Sequence, residues 1–231
     1  MQFDFNQAEE QRERISGPVP AGSIVLLRLE IQKPTRDEYA AKPGSYVSKS
    51  KGGLLMLNCQ MTVAAGTYEG YHWFERFMLP EGMQSISLTS GQKDACRISY
   101  ARLRAIIEAH RRIDPKDQSQ RARTARTLSN LLDLNGMTFP CRLGLEKEPR
   151  FYTKKDGSQG VAWDNRVGYI LPVTDARFAD IVNGGEVITD GPTAGEMPAN
   201  AYSNNASTPS SDSGSIPGWD TPPIDVDAIP F

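Results

Sequence analysis

At 231 residues the chain has room for one or two domains, and a body of about 180 residues is long enough to bury an adequate core. The formal net charge of −2 conceals an asymmetry. From residue 184 onward there is no Lys or Arg but seven acids (Glu186, Asp190, Glu196, Asp212, Asp220, Asp225 and Asp227), which leaves 21 acids against all 26 bases, about +5, in residues 1–183. No run approaches the roughly 18 apolar residues of a membrane span. The opening MQFDFNQAEEQRER lacks the basic end and apolar stretch of a secretion signal, so the expected compartment is the cytoplasm.

Residues 1–20 read as an N-terminal arm, and Pro18, Pro20 and Gly22 mark the entry to the body. Residues 24–31 alternate Val25, Leu27, Leu29 and Ile31 with Arg28 and Glu30, the period of a strand with one buried face. Residues 33–53 form a long polar, basic loop. A second strand follows, with Leu55, Leu57, Cys59, Met61 and Val63 on one face and Met56, Asn58, Gln60 and Thr62 on the other. Gly66 turns the chain into a third, aromatic-rich strand over residues 68–79. Its period groups Trp73 with Phe77 and Leu79 and sets His72, Phe74 and Arg76 on the opposite side, with Phe74 and Arg76 the expected solvent-facing pair.

After Pro80 the period becomes helical, through Ala95, Ile98, Arg102, Ala105 and Ala109 to Ile113, and Asp114-Pro115 ends the helix. Ser119 caps a second helix, expected to bury Ala122, Ala125, Leu128 and Leu132 and to close near Asn135-Gly136. The helix arginines read most simply as a solvated face. Strands return with Phe139, Cys141, Leu143 and Leu145, then a basic loop turning at Lys154-Lys155-Asp156-Gly157, then a last strand over residues 165–173.

Three strands, two helices and two strands is the order of an OB-fold, a five-stranded barrel that grips oligonucleotides on its second and third strands and adjoining loops. A β-sandwich, or an α+β sheet with helices on one face, gives a similar string. The expected division is an arm (1–20), a mainly β barrel with an α insert between strands three and four (21–183), a disordered linker (184–218) and an acidic tip (219–231). Gly, Pro, Ser, Asn and Ala dominate the linker and offer little to bury, and 35 such residues span about 30–35 Å.

The tip reads WDTPPIDVDAIPF. Asp225 and Asp227 precede Ile229, Pro230 and Phe231, where the last ring and the α-carboxylate share a residue; Trp219 opens the segment. Such an end suits capture by a partner pocket that takes the ring and proline while cations take the carboxylates. This tip on its polar tail resembles the C-terminal tail of bacterial single-stranded DNA-binding proteins (SSB), which implies recruitment of replication and repair enzymes. The body resembles a phage-encoded family of SSB-like proteins through FDFNQAEEQ, GTYEGYHWF, ISYARLRAIIEA, LGLEKEP and WDNRVGYILPV. That resemblance implies a bacteriophage OB-fold that coats single-stranded DNA during replication, recombination or repair in a bacterial host cell. The long helical insert departs from the bacterial pattern and leaves any homo-oligomer open.

Single strands bind where a basic groove follows the phosphates and aromatic rings stack on bases. Candidate rings are Tyr46, Tyr71, Trp73, Phe74, Phe151, Tyr152 and Trp163; candidate phosphate partners are Lys49, Lys51, Arg76, Arg142, Arg150, Lys154, Lys155 and Arg166. The strongest groupings are Tyr46 with Lys49 and Lys51, and Phe151-Tyr152 with Arg150, Lys154 and Lys155. Enzyme chemistry finds little footing. His72 and His110 stand in no ligand-spaced cluster, and no P-loop, Gly-x-Ser-x-Gly or paired-histidine motif occurs. Glu146 and Glu148 are the one hint of a metal-dependent nuclease. Another alternative is a decoy that fills host SSB-tip pockets without binding DNA. Cys59, Cys96 and Cys141, odd in number and widely spaced, read as reduced core cysteines rather than a disulfide or zinc framework, and no cofactor is expected.

Overall fold

The computed structural model describes residues 18–42, 44–50, 53–79, 88–146, 150–153, 157–162 and 164–191. Its centre is β1 (Ile24–Ile31), whose alternation buries Val25, Leu27, Leu29 and Ile31 and turns Arg28 and Glu30 outward as an ion pair. β1 pairs antiparallel on one side with β3 (Leu55–Val63) and on the other with β5 (Thr138–Leu145). β4 (His72–Leu79) lies antiparallel along the far edge of β3, and β8 (Asn165–Ile170) pairs with β5.

The polar loop expected over residues 33–53 holds a further strand, β2 (Val47–Lys49), which pairs with Leu55–Leu57 of β3. Because β4 takes one edge of β3, β2 and β1 share the other, end to end. The basic loop after β5 likewise contains a hairpin, β6 (Arg150–Thr153) with β7 (Gln159–Ala162). Among the described residues the main sheet therefore has six antiparallel strands, and β6 and β7 form a separate two-stranded sheet.

Among the described residues no ladder joins β4 to β8, and the sheet is open there. A side chain spans the two edges instead: Val167 of β8 donates its N–H to Glu75 Oε1 of β4 at 2.9 Å. Glu75 occupies an inward position between Trp73 and Phe77, where period-two reading calls for an apolar residue.

The core gathers Leu27, Leu29, Leu57, Met61, Phe77, Phe139 and Leu143 from the sheet. Over it lies α1 (Ser90–His110), which buries Leu103, Ile106 and Ile107 and packs on β4, β5 and β8. Its start is set by a capping box in which Thr89 and Gln92 satisfy each other's backbone N–H groups. Ser119 caps α2 (Gln120–Arg126) as its sequence position implies. α2 stops well before Asn135, however, and Leu132 is exposed rather than inward. Asn130 captures the Leu132 N–H and starts a separate 3-10 turn (Leu131–Leu134), a case of a polar side chain competing with helical hydrogen bonding.

Buried Glu108 accepts from Arg104 Nε (2.8 Å) and Arg126 Nε (2.6 Å), stapling α2 to α1. Arg126 also donates to the Asp114 and Asp117 carbonyls, so this arginine is structural rather than part of a solvated face.

Both ends of the body differ from the expected boundaries. Val19 is fully buried, and its backbone N–H and C=O both bond the Asn165 amide, so the folded body begins before residue 20. After the short α3 (Phe178–Val182), residues 184–191 are tied down instead of beginning a linker. Val187 exchanges two backbone hydrogen bonds with Ile24, Thr189 bonds Ala21 and Ser23, and Glu186 accepts from the Thr67 N–H. Gly66, at φ 92°, makes room for that carboxylate, since a Cβ there would overlap it. No described helix is long and apolar enough to cross a membrane. The arm over residues 1–17 and the tail from residue 192, with the whole tip, lie outside the described residues.

Candidate functional site

An open groove of about 1020 Å³ runs over the outward face of β3 and β4. Its floor comes from the side of the strand pair that the core does not claim: Met56 and Asn58 of β3, Phe74 and Arg76 of β4. One wall is the segment after β1, with Lys33 and Tyr39, together with Ser48 and Lys49 of β2. The far end is closed by Glu75, Arg102 of α1, Glu146 and Arg166 of β8.

Phe74 is the most exposed large hydrophobic side chain among the described residues, at 67%. His72 meets it edge to face at 6.3 Å. A ring held in water on a strand face is available for stacking, and the same applies to Tyr39 at 43% exposure. Arg76 is oriented by a relay across three strands: its Nε donates to Asn58 Oδ1 at 3.3 Å, and Asn58 Nδ2 donates to Ser48 Oγ at 2.6 Å.

Five cations, Lys33, Lys49, Arg76, Arg102 and Arg166, line the groove against two acids, Glu75 and Glu146. One of those acids is only partly ionised at neutral pH. Burial pushes the Glu75 carboxyl up to about 7, against the pull of the Val167 N–H and Arg102, with Glu146 adding repulsion. Arg102 stands 4.0 Å from Glu75, and burial lowers its pKa more than the carboxylate restores it. Desolvation therefore outweighs the attraction of this pair on both sides.

The structure redistributes the sequence candidates. Phe74, Arg76, Lys49 and Arg166 converge on the groove. Trp73 does not: it is 4% exposed, buried with Phe77 and Leu79, and is withdrawn from any stacking role. Tyr71 and Tyr46 are half-buried and packed on the core; Tyr71 leans on Trp73 at 6.0 Å, and Tyr46 lies under Lys33 Nζ at 5.0 Å. Both rings serve packing where exposed platforms were expected, and neither lines the groove. Arg142 sits elsewhere, on β5, over the Tyr169 ring. Arg150, Phe151 and Tyr152 form β6, but their side chains lie outside the described residues, as do Lys51, Lys154, Lys155 and Trp163.

Tyr39, Lys33 and Arg102 reach the groove without having been singled out from sequence. The first two stand in a polar loop whose path is invisible to periodicity; Arg102 stands on a helix face that looked merely solvated.

The remaining reactive groups have structural settings. His110 Nδ1 accepts from the Thr138 N–H at 3.2 Å and ties α1 to β5. The three cysteines are free and buried, and burial raises the Cys59 and Cys141 thiols to about 12, which keeps them un-ionised and unreactive. Among the described residues no group of three or more His, Cys, Asp or Glu is gathered to hold a metal ion. No family model, curated protein or solved structure matches this chain.

Proposed function

We propose that this protein binds and protects single-stranded DNA, without strong sequence preference, during replication, recombination or repair, and that its 219–231 tip recruits partner enzymes. The observation that carries the reading is the groove itself: an exposed Phe74 on a strand-pair floor, flanked by five cations that outnumber the acids. Phosphates need the cations, and unpaired bases need the rings; a duplex hides its bases and gains nothing from Phe74.

The barrel reading draws support from strand order. Counting β1, β3, β4, β5 and β8 as five long strands, the second pairs the first and third, and the fourth pairs the first and fifth. The groove lies on strands two and three beside the loop that joins strands one and two, which is where OB-folds hold oligonucleotides. Glu75 and Val167 then stand at the seam that a partly open barrel leaves.

The test is fluorescence anisotropy with a labelled strand of about 30 nucleotides, matched duplex as competitor, over a salt series. The expected result is single-strand binding, with a log–log salt slope of about −3.5 if all five cations meet phosphates at about −0.7 each. Equal competition by duplex refutes the reading. Absence of binding favours the decoy, and strand cleavage in magnesium favours the nuclease.

A further inference from the structure

Beyond the groove, the outer face of β5 and β8 carries a second ring with a cation. Strict alternation along β8 would place Arg166 and Tyr169, three residues apart, on opposite faces. They share a face because the ladder slips. Arg142 pairs with Tyr169 and Leu143 with Val167, leaving Gly168 as the extra residue of a bulge. A side chain cannot replace that glycine without overlap, since a Cβ would run into the Arg142 carbonyl oxygen. The bulge turns Ile170 into the core and Tyr169 outward, at 49% exposure.

Re-aiming one side chain is what bulges do beside binding sites. Here the re-aimed group is an aromatic ring with the Arg142 guanidinium 5.6 Å from its centroid. Arg166 connects this pair to the groove. Its stem lies across Gly144, with Cγ 3.4 Å from the place a Cβ would occupy, and it lines the groove's end. Two ladder steps, roughly 7 Å, separate Arg166 from Tyr169 along the strand. A chain leaving the groove past Arg166 would meet Tyr169 next, beside the Arg142 guanidinium.

We infer that Tyr169, with Arg142, is a second stacking platform that holds a base of the same single strand outside the groove, an inference that rests on the groove reading above. It makes the site longer than the groove, so its effect depends on oligonucleotide length. The full chain and its Tyr169→Ala, Tyr169→Trp and Phe74→Ala variants are titrated with oligothymidines of about 5 and about 16 nucleotides, near the two ends of the range for one OB-fold. Tyr169→Ala is expected to weaken the long strand about fivefold or more, the loss of one stacked base, and the short strand less than twofold. Tyr169→Trp should keep the long-strand affinity. Equal losses at both lengths, or none on the long strand while Phe74→Ala weakens the short one, overturn this inference alone. If the native chain binds neither strand, or Phe74→Ala leaves the short strand unaffected, the groove reading fails and this one with it.

Discussion

Glu75→Gln should remove a pH-dependent weakness of the fold. The native carboxyl ionises near 7, against 4.5 for the free side chain, because it is buried to 9% exposure between β4 and β8. As pH rises from 4.5 to 7 the unfolded chain releases this proton while the folded chain keeps it, so unfolding is increasingly favoured. Stability tied to the protonated group is complete below about 4.5 and lost by about 7, and the full interval corresponds to roughly 3 kcal/mol. Between pH 5 and 8 the loss is about 2.5 kcal/mol. Glutamine keeps a carbonyl oxygen for the Val167 N–H and carries no charge. Urea unfolding of both proteins at pH 5, 6, 7 and 8 measures the difference. The native chain should lose about 2.5 kcal/mol more than the variant across that range; parallel pH profiles, or a larger loss in the variant, would refute the reasoning.

Phe74→Ala should weaken single-strand binding by about 1–3 kcal/mol in anisotropy titrations while leaving the urea midpoint in place, because the ring is exposed. Trp73→Ala should do the reverse, costing about 3–5 kcal/mol of stability in the same unfolding assay, as expected for a buried ring. Lys49→Ala should flatten the log–log salt dependence by about 0.7, the share of one phosphate contact. Removing residues 219–231, with Asp220, Asp225 and Asp227, should tighten DNA binding at low salt if the acidic tip competes for the groove; unchanged or weaker affinity would count against that competition.

Much of the sheet was legible because its strands obey one period. Val25, Leu27, Leu29 and Ile31, like Leu57, Cys59, Met61 and Val63, are buried as their spacing implies, and the grouping of Trp73 with Phe77 and Leu79 matches the face that is buried. Where local chemistry overrides the period, reading along the chain fails. β2 has three residues, too few to show alternation. Glu75 is a charge at an inward position and makes sense only once β8 is seen beside β4. The Gly168 bulge shifts the phase of β8, so Tyr169 looks like a core residue to any strict alternation. Adjacency along the chain sets Tyr46 beside Lys49, whereas folding sets Lys33 over Tyr46 and brings Phe74 into the groove with the cations.

The end-to-end placement of β1 and β2 on one edge of β3 has an evolutionary corollary. Residues 33–39 run outside any ladder, between the end of the β1–β3 pairing and the Ala40–Ser48 bridge that leads into β2, so no strand register dictates their number. Doubling such an excursion adds only about 0.6 kcal/mol of closure entropy. Insertions there would carry Lys33 and Tyr39 to new positions while Leu29, Leu57 and Phe77 stay undisturbed. If the groove holds a nucleic-acid strand as proposed, its reach and preference are adjustable in a stretch that contributes nothing to the core.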